Sequence, residues 1–291
     1  MRPRRFAAAL VVAAALLSTP AVAVAAPPAI GVTGDVGAPG RYTAADLVAL
    51  GQSAYPVTNP SHGTPATVTG TSLYALAVKS APAVPPGKNT ALRVTMRVTG
   101  RHGETANFAL GELDPGFGNH PAVLVTSPRH GIGLIVPGDR NRTRSVTAVA
   151  AVRINVSTAS AQDVAAGAVL IVTPHGTRTL PAWVLKQLPS RDVRVTFLMG
   201  TTPQTHTESG PPLSLVLLAA GVLPRAGTSV VAVGTDGYGA AVTLGEDYVG
   251  GRPLLLSTVE DGVPLERPRL IPDGDVKGGR YVSATVTLAV G

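Results

Sequence analysis

The chain has 291 residues, of which 45% are hydrophobic and 14% charged, with a formal charge of +7. That length suits about two domains, and charges scattered singly exclude a nucleic-acid footprint, a polybasic membrane patch and an acidic tail. There is no cysteine, which excludes disulfides, a lipid-bearing cysteine and every thiolate-based metal or nucleophile site.

The first residues read as a secretory signal. Arg2-Pro3-Arg4-Arg5 is a basic start, Phe6 to Leu17 an apolar run and Ala23-Val24-Ala25 an A-x-A cleavage site, so residues 1–25 are expected to be removed. Loss of Arg2, Arg4 and Arg5 takes the charge from +7 to +4. No later stretch is long and apolar enough to span a bilayer, and the expected location is secreted or cell-envelope. Abundant Ala, Gly, Pro and Val with few lysines point to a bacterial source.

The rest reads as one domain written twice, at 30–156 and 168–291, joined by a small, polar linker at 157–167. Leu110-Gly111-Glu112 recurs as Leu244-Gly245-Glu246, Leu134-Ile135 as Leu270-Ile271, Gly138-Asp139 as Gly274-Asp275, and Arg144 as Arg280. A repeat this long is a whole domain rather than a solenoid unit. Without disulfides each copy must be held by ordinary burial, which about 120 residues can supply.

Ile30 to Thr33 predicts a first strand. Thr43-Ala44-Ala45-Asp46 is a capping-box variant opening a short helix with Leu47 and Leu50 inward; Pro181 to Leu188 is its partner. A second helix is predicted around Leu73, Leu76 and Ala77, and again around Leu213, Val216, Leu217 and Ala220, with Gly221 at its C-terminal cap. Val230 to Val233, the turn Asp236-Gly237-Tyr238-Gly239 and Ala241 to Leu244 form a hairpin signature, matched by Val94 to Val98, His102-Gly103 and Phe108 to Leu110. A further strand, Pro253 to Ser257 or Ala122 to Val125, leads to a second turn at Asp261-Gly262 or His130-Gly131. In the closing strand Val282, Ala284, Val286, Leu288 and Val290 alternate with Ser283, Thr285 and Thr287, which predicts one buried and one polar face. The fold class is therefore α+β: two tandem copies of a mixed, mostly antiparallel sheet domain with short helices.

In the second copy, Val193 to Phe197, Gly210-x-x-Leu213, Asp236-Gly237-Tyr238, Pro253-Leu254-Leu255, Asp261-Gly262-Val263-Pro264, Arg269-Leu270-Ile271-Pro272 and Gly278-Gly279-Arg280-Tyr281-Val282 follow one another in order. This ordered set, over Val169 to Val290, resembles the oxidoreductase molybdopterin-binding domain of sulfite-oxidase-like enzymes. The resemblance implies a fold wrapped around molybdopterin, a cysteine thiolate on molybdenum and oxygen-atom transfer. Two departures oppose it. After Thr196-Phe197-Leu198, where the thiolate is expected, the chain reads Met199-Gly200-Thr201, and Ser283 stands where the family has lysine. A soft anionic ligand is poorly replaced by Ser or Met.

Other constellations are thinner. The six histidines, His62, His102, His120, His130, His175 and His206, have no metal-ligand spacing. Asp273-Gly274-Asp275, with Glu246-Asp247 and Glu260-Asp261, starts like a calcium loop but lacks the remaining ligands, and Asx turns explain it more simply. Lys277-Gly278-Gly279-Arg280 is the segment with a physical reason to hold an anion, because successive N–H groups can form a nest beside two cations. The expected site is therefore Lys277, Gly278, Gly279, Arg280 and Tyr281 with Tyr238, in the second copy, and the expected ligand a small anion-bearing molecule. The competing reading pairs Arg280 with Asp273 or Asp275 across its own loop. Two functions follow: a cofactor-free binding or structural module, or a molybdopterin-dependent oxidoreductase with an atypical ligand set. Arg4-Arg5-Phe6 lacks the spacer of a twin-arginine signal, which favours export unfolded and empty, and hence the first.

Overall fold

Each half of the chain is built from the same succession of short elements. The computed structural model describes residues 28–58, 65–127 and 131–291, so the expected signal segment, His62 and the His130 side of the second turn lie outside the described residues. The first half runs β1 (Ala29–Gly34), β2 (Gly40–Thr43), α1 (Ala44–Ala49), β3 (Ser53–Thr58), β4 (Pro65–Ser72), α2 (Leu73–Lys79), β5 (Val94–Gly100), β6 (Thr105–Ala109), α3 (Leu110–Leu113), β7 (Val123–Ser127), β8 (Gly131–Ile135) and β9 (Val149–Val156). The second runs β10 (Val169–Thr173), β11 (Gly176–Leu180), α4 (Ala182–Gln187), β12 (Arg191–Met199), β13 (Thr202–Gly210), α5 (Leu213–Ala219), β14 (Ser229–Gly234), β15 (Gly239–Thr243), α6 (Leu244–Tyr248), β16 (Leu254–Glu260), β17 (Val263–Pro272) and β18 (Thr285–Val290).

The sheets repeat in the same way. One five-stranded sheet is ordered β2-β1-β9-β5-β6 and the other β11-β10-β18-β14-β15; the four-stranded sheets are β3-β4-β7-β8 and β12-β13-β16-β17. Pairing is antiparallel except where the first strand of each half meets its last, with Val32 beside Val152 and Ile171 beside Leu288. The architecture is thus α+β, with mostly antiparallel sheets and short helices.

Local chemistry accounts for much of this. Thr43 caps α1 reciprocally: Asp46 accepts from the Thr43 N–H at 2.8 Å, and the Thr43 hydroxyl accepts from the Asp46 N–H at 3.3 Å. Gly221 follows α5 with φ +79, the left-handed step that ends helices. Two expectations change. Leu110-Gly111-Glu112 and Leu244-Gly245-Glu246 do not extend their strands but begin the helical turns α3 and α6. The closing strand is interrupted at Ala284 (φ +46), so β18 starts at Thr285, and Thr285 and Thr287 are as buried as the apolar residues between them.

Thr285 is buried inside its own half, its hydroxyl donating to the Val282 carbonyl at 2.7 Å and accepting from the Leu270 N–H at 3.3 Å, whereas Thr287 stands beside Val233 on a face packed between halves. Val231, Val233 and Ala241 on the outer side of the second sheet are covered by Ala109 and by Ala159 and Ala161 of the connecting segment. Leu92, in a 3-10 turn before β5, and Phe117 belong to the first half yet pack into the hydrophobic core of the second. Removing Leu92 therefore opens a cavity in a core its own half does not own. Leu92→Ala should cost about 2–5 kcal/mol, and both halves should melt in one calorimetric transition; two separate transitions, with only the first shifted, would refute the shared core.

Candidate functional site

The charged residues common to both halves come together inside the protein. In the first half Arg144 bonds Glu112 Oε1 through Nη1 at 2.6 Å and grips Asp139 through Nε at 2.9 Å and Nη2 at 2.6 Å. In the second, Arg280 grips Asp275 through Nε at 2.8 Å and Nη2 at 2.6 Å, and its Nη2 lies 2.8 Å from Glu246 Oε2. A third group completes each cluster: His120 Nε2 lies 3.0 Å from Asp139, and Arg252 Nη2 2.7 Å from Asp275. Both central arginines are buried, Arg280 completely.

The clusters also brace the two halves against each other. A Cβ on Gly111 would fall 2.6 Å from Arg280 Cδ, and one on Gly245 would fall 2.8 Å from Arg144 Cδ. Each arginine pairs with carboxylates of its own half while its stem lies on a glycine of the other. That is why glycine precedes glutamate in both copies.

The two glutamates titrate in opposite directions. Burial pushes Glu112 above the ordinary carboxylate range and the charge of Glu246 adds to this, against the pull of Arg144. Burial pushes Glu246 the same way, but Arg280 and Arg252 outweigh it and hold Glu246 below that range. Glu246 has two guanidinium groups beside it, Arg280 at 2.8 Å and Arg252 at 3.8 Å, where Glu112 has Arg144 at 2.6 Å.

The expected anion site lies against this cluster and is used up by packing. Arg280 faces inward to Asp275 and Glu246, so the competing reading, pairing across its own loop, describes the guanidinium, with Asp275 rather than Asp273 as partner. Gly278 to Arg280 form a 3-10 turn pressed between two rings: a Cβ on Gly278 would lie 2.8 Å from Phe197, and one on Gly279 2.2 Å from Phe117. The glycines are required by aromatic packing, not by an anion nest. The Tyr238 hydroxyl donates to the Gly279 carbonyl and accepts from Asn89 Nδ2 at 3.1 Å, which ties the Asp236-Gly237-Tyr238 turn to the first half. Tyr281 stands edge-on to Phe197 with centroids 4.7 Å apart. Lys277 alone is exposed. Asp273 closes a local turn on the Gly274 N–H at 2.7 Å.

These residues do not fit molybdopterin either. The place expected for a thiolate holds Met199, 65% exposed at a strand end, and the glycine turn is closed by rings on both sides. The chain offers no soft anionic donor.

A cavity does stand at the entrance to a closing strand, but in the first half. It measures about 530 Å³ and is lined by Val57, Val68, Val125, Gly133, Ser145 and Val146, with Asp139, Asn141 and Arg142 at the polar side. The second half fills the equivalent face. Glu208 there is bonded to Ser257 at 2.6 Å and Arg269 at 3.1 Å, beside Tyr281. At the matching register the first half has Val68 for Glu208, Val125 for Ser257, Gly133 for Arg269 and Ser145 for Tyr281. Sequence comparison of the two halves carries this signal, since both charges, Glu208 and Arg269, give way to Val68 and Gly133, the Tyr281 ring gives way to Ser145 and the Ser257 hydroxyl to Val125.

No family model and no curated protein matches the chain. Among solved structures it is similar to the sulfane dehydrogenase SoxCD from Paracoccus pantotrophus, with a TM-score of 0.36 and 17% identity over 57% of this chain. The matched region spans 48% of that protein, and a likeness of this size carries no functional argument.

Arg280→Met leaves Glu246 and Asp275 short of a buried partner and should cost about 3–5 kcal/mol by denaturant unfolding. The glutamates give a sign test. Glu112, raised in the folded state, contributes stability below its unfolded value of about 4.3 that is lost as pH rises through its folded value. Glu246, lowered, contributes stability above that value that is lost as pH falls. Glu112→Gln should therefore gain on the wild type as pH rises from 4 to 7 and Glu246→Gln should fall behind it. Parallel slopes for the two variants would refute the assignment.

Proposed function

We propose that this chain is an exported, tandemly duplicated relative of the molybdopterin-binding fold that works without the cofactor, as a small-molecule binding module. The cavity of the first copy is its site. The observation that carries the reading is the exchange of Glu208, Ser257, Arg269 and Tyr281 for Val68, Val125, Gly133 and Ser145, which leaves a largely apolar hollow of ligand size on this face of the first copy, where the second copy's face is filled. The repeated element order supports the duplication, and the basic, apolar and A-x-A segments at the start support export. The absence of any cysteine supports a cofactor-free role, because no other side chain here supplies the soft anion that molybdenum takes.

The ligand suited to this cavity has an apolar body and one anionic end. Valines and Ile135 offer the wall, and Arg142, which lines the rim, offers five donors in a planar fork. The protein would hold such a molecule by burial and orient it by its charge.

Purified protein should contain no stoichiometric molybdenum by elemental analysis and no pterin fluorescence after acid release; one equivalent of either would instead establish the oxidoreductase. Anilinonaphthalene sulfonate, an apolar ring system with one sulfonate, should bind the native protein with one-to-one stoichiometry. Ser145→Tyr, which restores the second copy's side chain, should abolish that binding, and Arg142→Gln should weaken it by about tenfold. Unchanged binding by both variants would place the dye elsewhere and remove this site.

A further inference from the structure

The two five-stranded sheets meet over a second, separate hollow, and its chemistry is not apolar. On β5 and β9 of the first half, Arg97 and Arg153 are direct partners across an antiparallel pair. Like charges placed opposite each other in a sheet are destabilising, and no opposite charge among the described residues is paired with either. Each is steadied by a neutral amide instead: Arg97 Nε donates to Asn107 Oδ1 and Arg153 Nε to Asn155 Oδ1, both at 3.3 Å.

The fold does not need these arginines. The second half has Val231 and Ala289 at the equivalent positions, themselves paired on β14 and β18. Those two residues form the facing wall of the same hollow, which measures about 380 Å³ and is edged by Ser157 and Ser229. An adjoining hollow of about 410 Å³ shares Arg97 and Asn107 and adds Arg225, which also lacks a carboxylate partner among the described residues. Among the described residues no aspartate or glutamate side chain lines either, and Gly291 borders both. Asn107 Nδ2 donates to the Gly227 carbonyl, so the amide that steadies Arg97 is itself fixed to the loop carrying Arg225.

We propose that this cleft binds a tetrahedral oxyanion, a phosphate or sulfate group, bridged between the Arg97 and Arg153 guanidinium groups. Two forks can share the oxygens of one such group, and the group cancels the repulsion between them. The valine and alanine wall leaves space for a compact organic body, so a small phosphate or sulfate ester is accommodated as well as the free ion. This site is independent of the cavity at Ser145, and the failure of one leaves the other standing.

Titration calorimetry on the full chain, at constant ionic strength set with sodium chloride, distinguishes the sources. Inorganic phosphate and sulfate form one arm, glucose phosphate and nitrophenyl sulfate the other. Saturable one-to-one binding is expected in at least one arm; tighter binding of the esters would assign the ligand as an ester, and equal binding as the free ion. Arg97→Gln and Arg153→Gln should each lose about tenfold or more in affinity. Without ligand both variants should melt at or above the wild-type temperature, because the like-charge pair is gone; a merely structural role would lower it. No saturable binding in either arm, or wild-type affinity in both variants, would overturn the proposal.

Discussion

Two arginines buried at the junction of the halves set the terms for the rest of the structure. A guanidinium removed from water must find carboxylates, and a buried pair that loses one partner costs far more than it contributed when whole. Arg144 and Arg280 meet this requirement within their own halves, yet each rests its stem on the glycine before the other half's glutamate. Neither half can withdraw without uncovering an ion cluster. The shared apolar packing of Leu92 and Phe117 works in the same direction, and it is non-directional, so the charged clusters are what fix the register of one half on the other.

That junction decides where a ligand can be held. The turn at Gly278 to Arg280 has the composition of an anion nest, but its donors face rings and carboxylates belonging to the junction. The same loop in the first half carries Arg142 and Ser145, lacks the tyrosine, and opens on a sheet face stripped of its charged side chains. The reverse divergence occurs on the five-stranded sheets, where the first half carries arginines and the second valine and alanine. On the four-stranded sheets a polar network in the second half stands where the first half has a hollow.

Much of the fold is legible in the residues. Capping at Thr43, the stop at Gly221, the hairpin at Asp236-Gly237 and the recurrence of whole elements are local signals with local causes, and each element sits near its expected place. The two short helices after β6 and β15 were not legible, since one helical turn has no period to detect. Nor was the burial of Thr287, beside Val233 on a face that the other half and the connecting segment cover, or of Thr285, whose hydroxyl is bonded to Val282 and Leu270.

For the site, the repetition of Gly-Glu, Gly-Asp and Arg in both copies already marked those residues as a set. Their roles could not be read from the set, because a carboxylate suited to calcium, an arginine suited to an anion and a buried ion pair have the same letters. Glu246 and Arg280 are far apart in sequence and without periodicity, and the glycine that Arg280 covers belongs to the other half. Only the folded chain brings these three together, and burial then decides the pairing: with no water to solvate it, Arg280 turns Nε and Nη2 to Asp275 and Glu246, and the unpartnered Nη1 is buried with them.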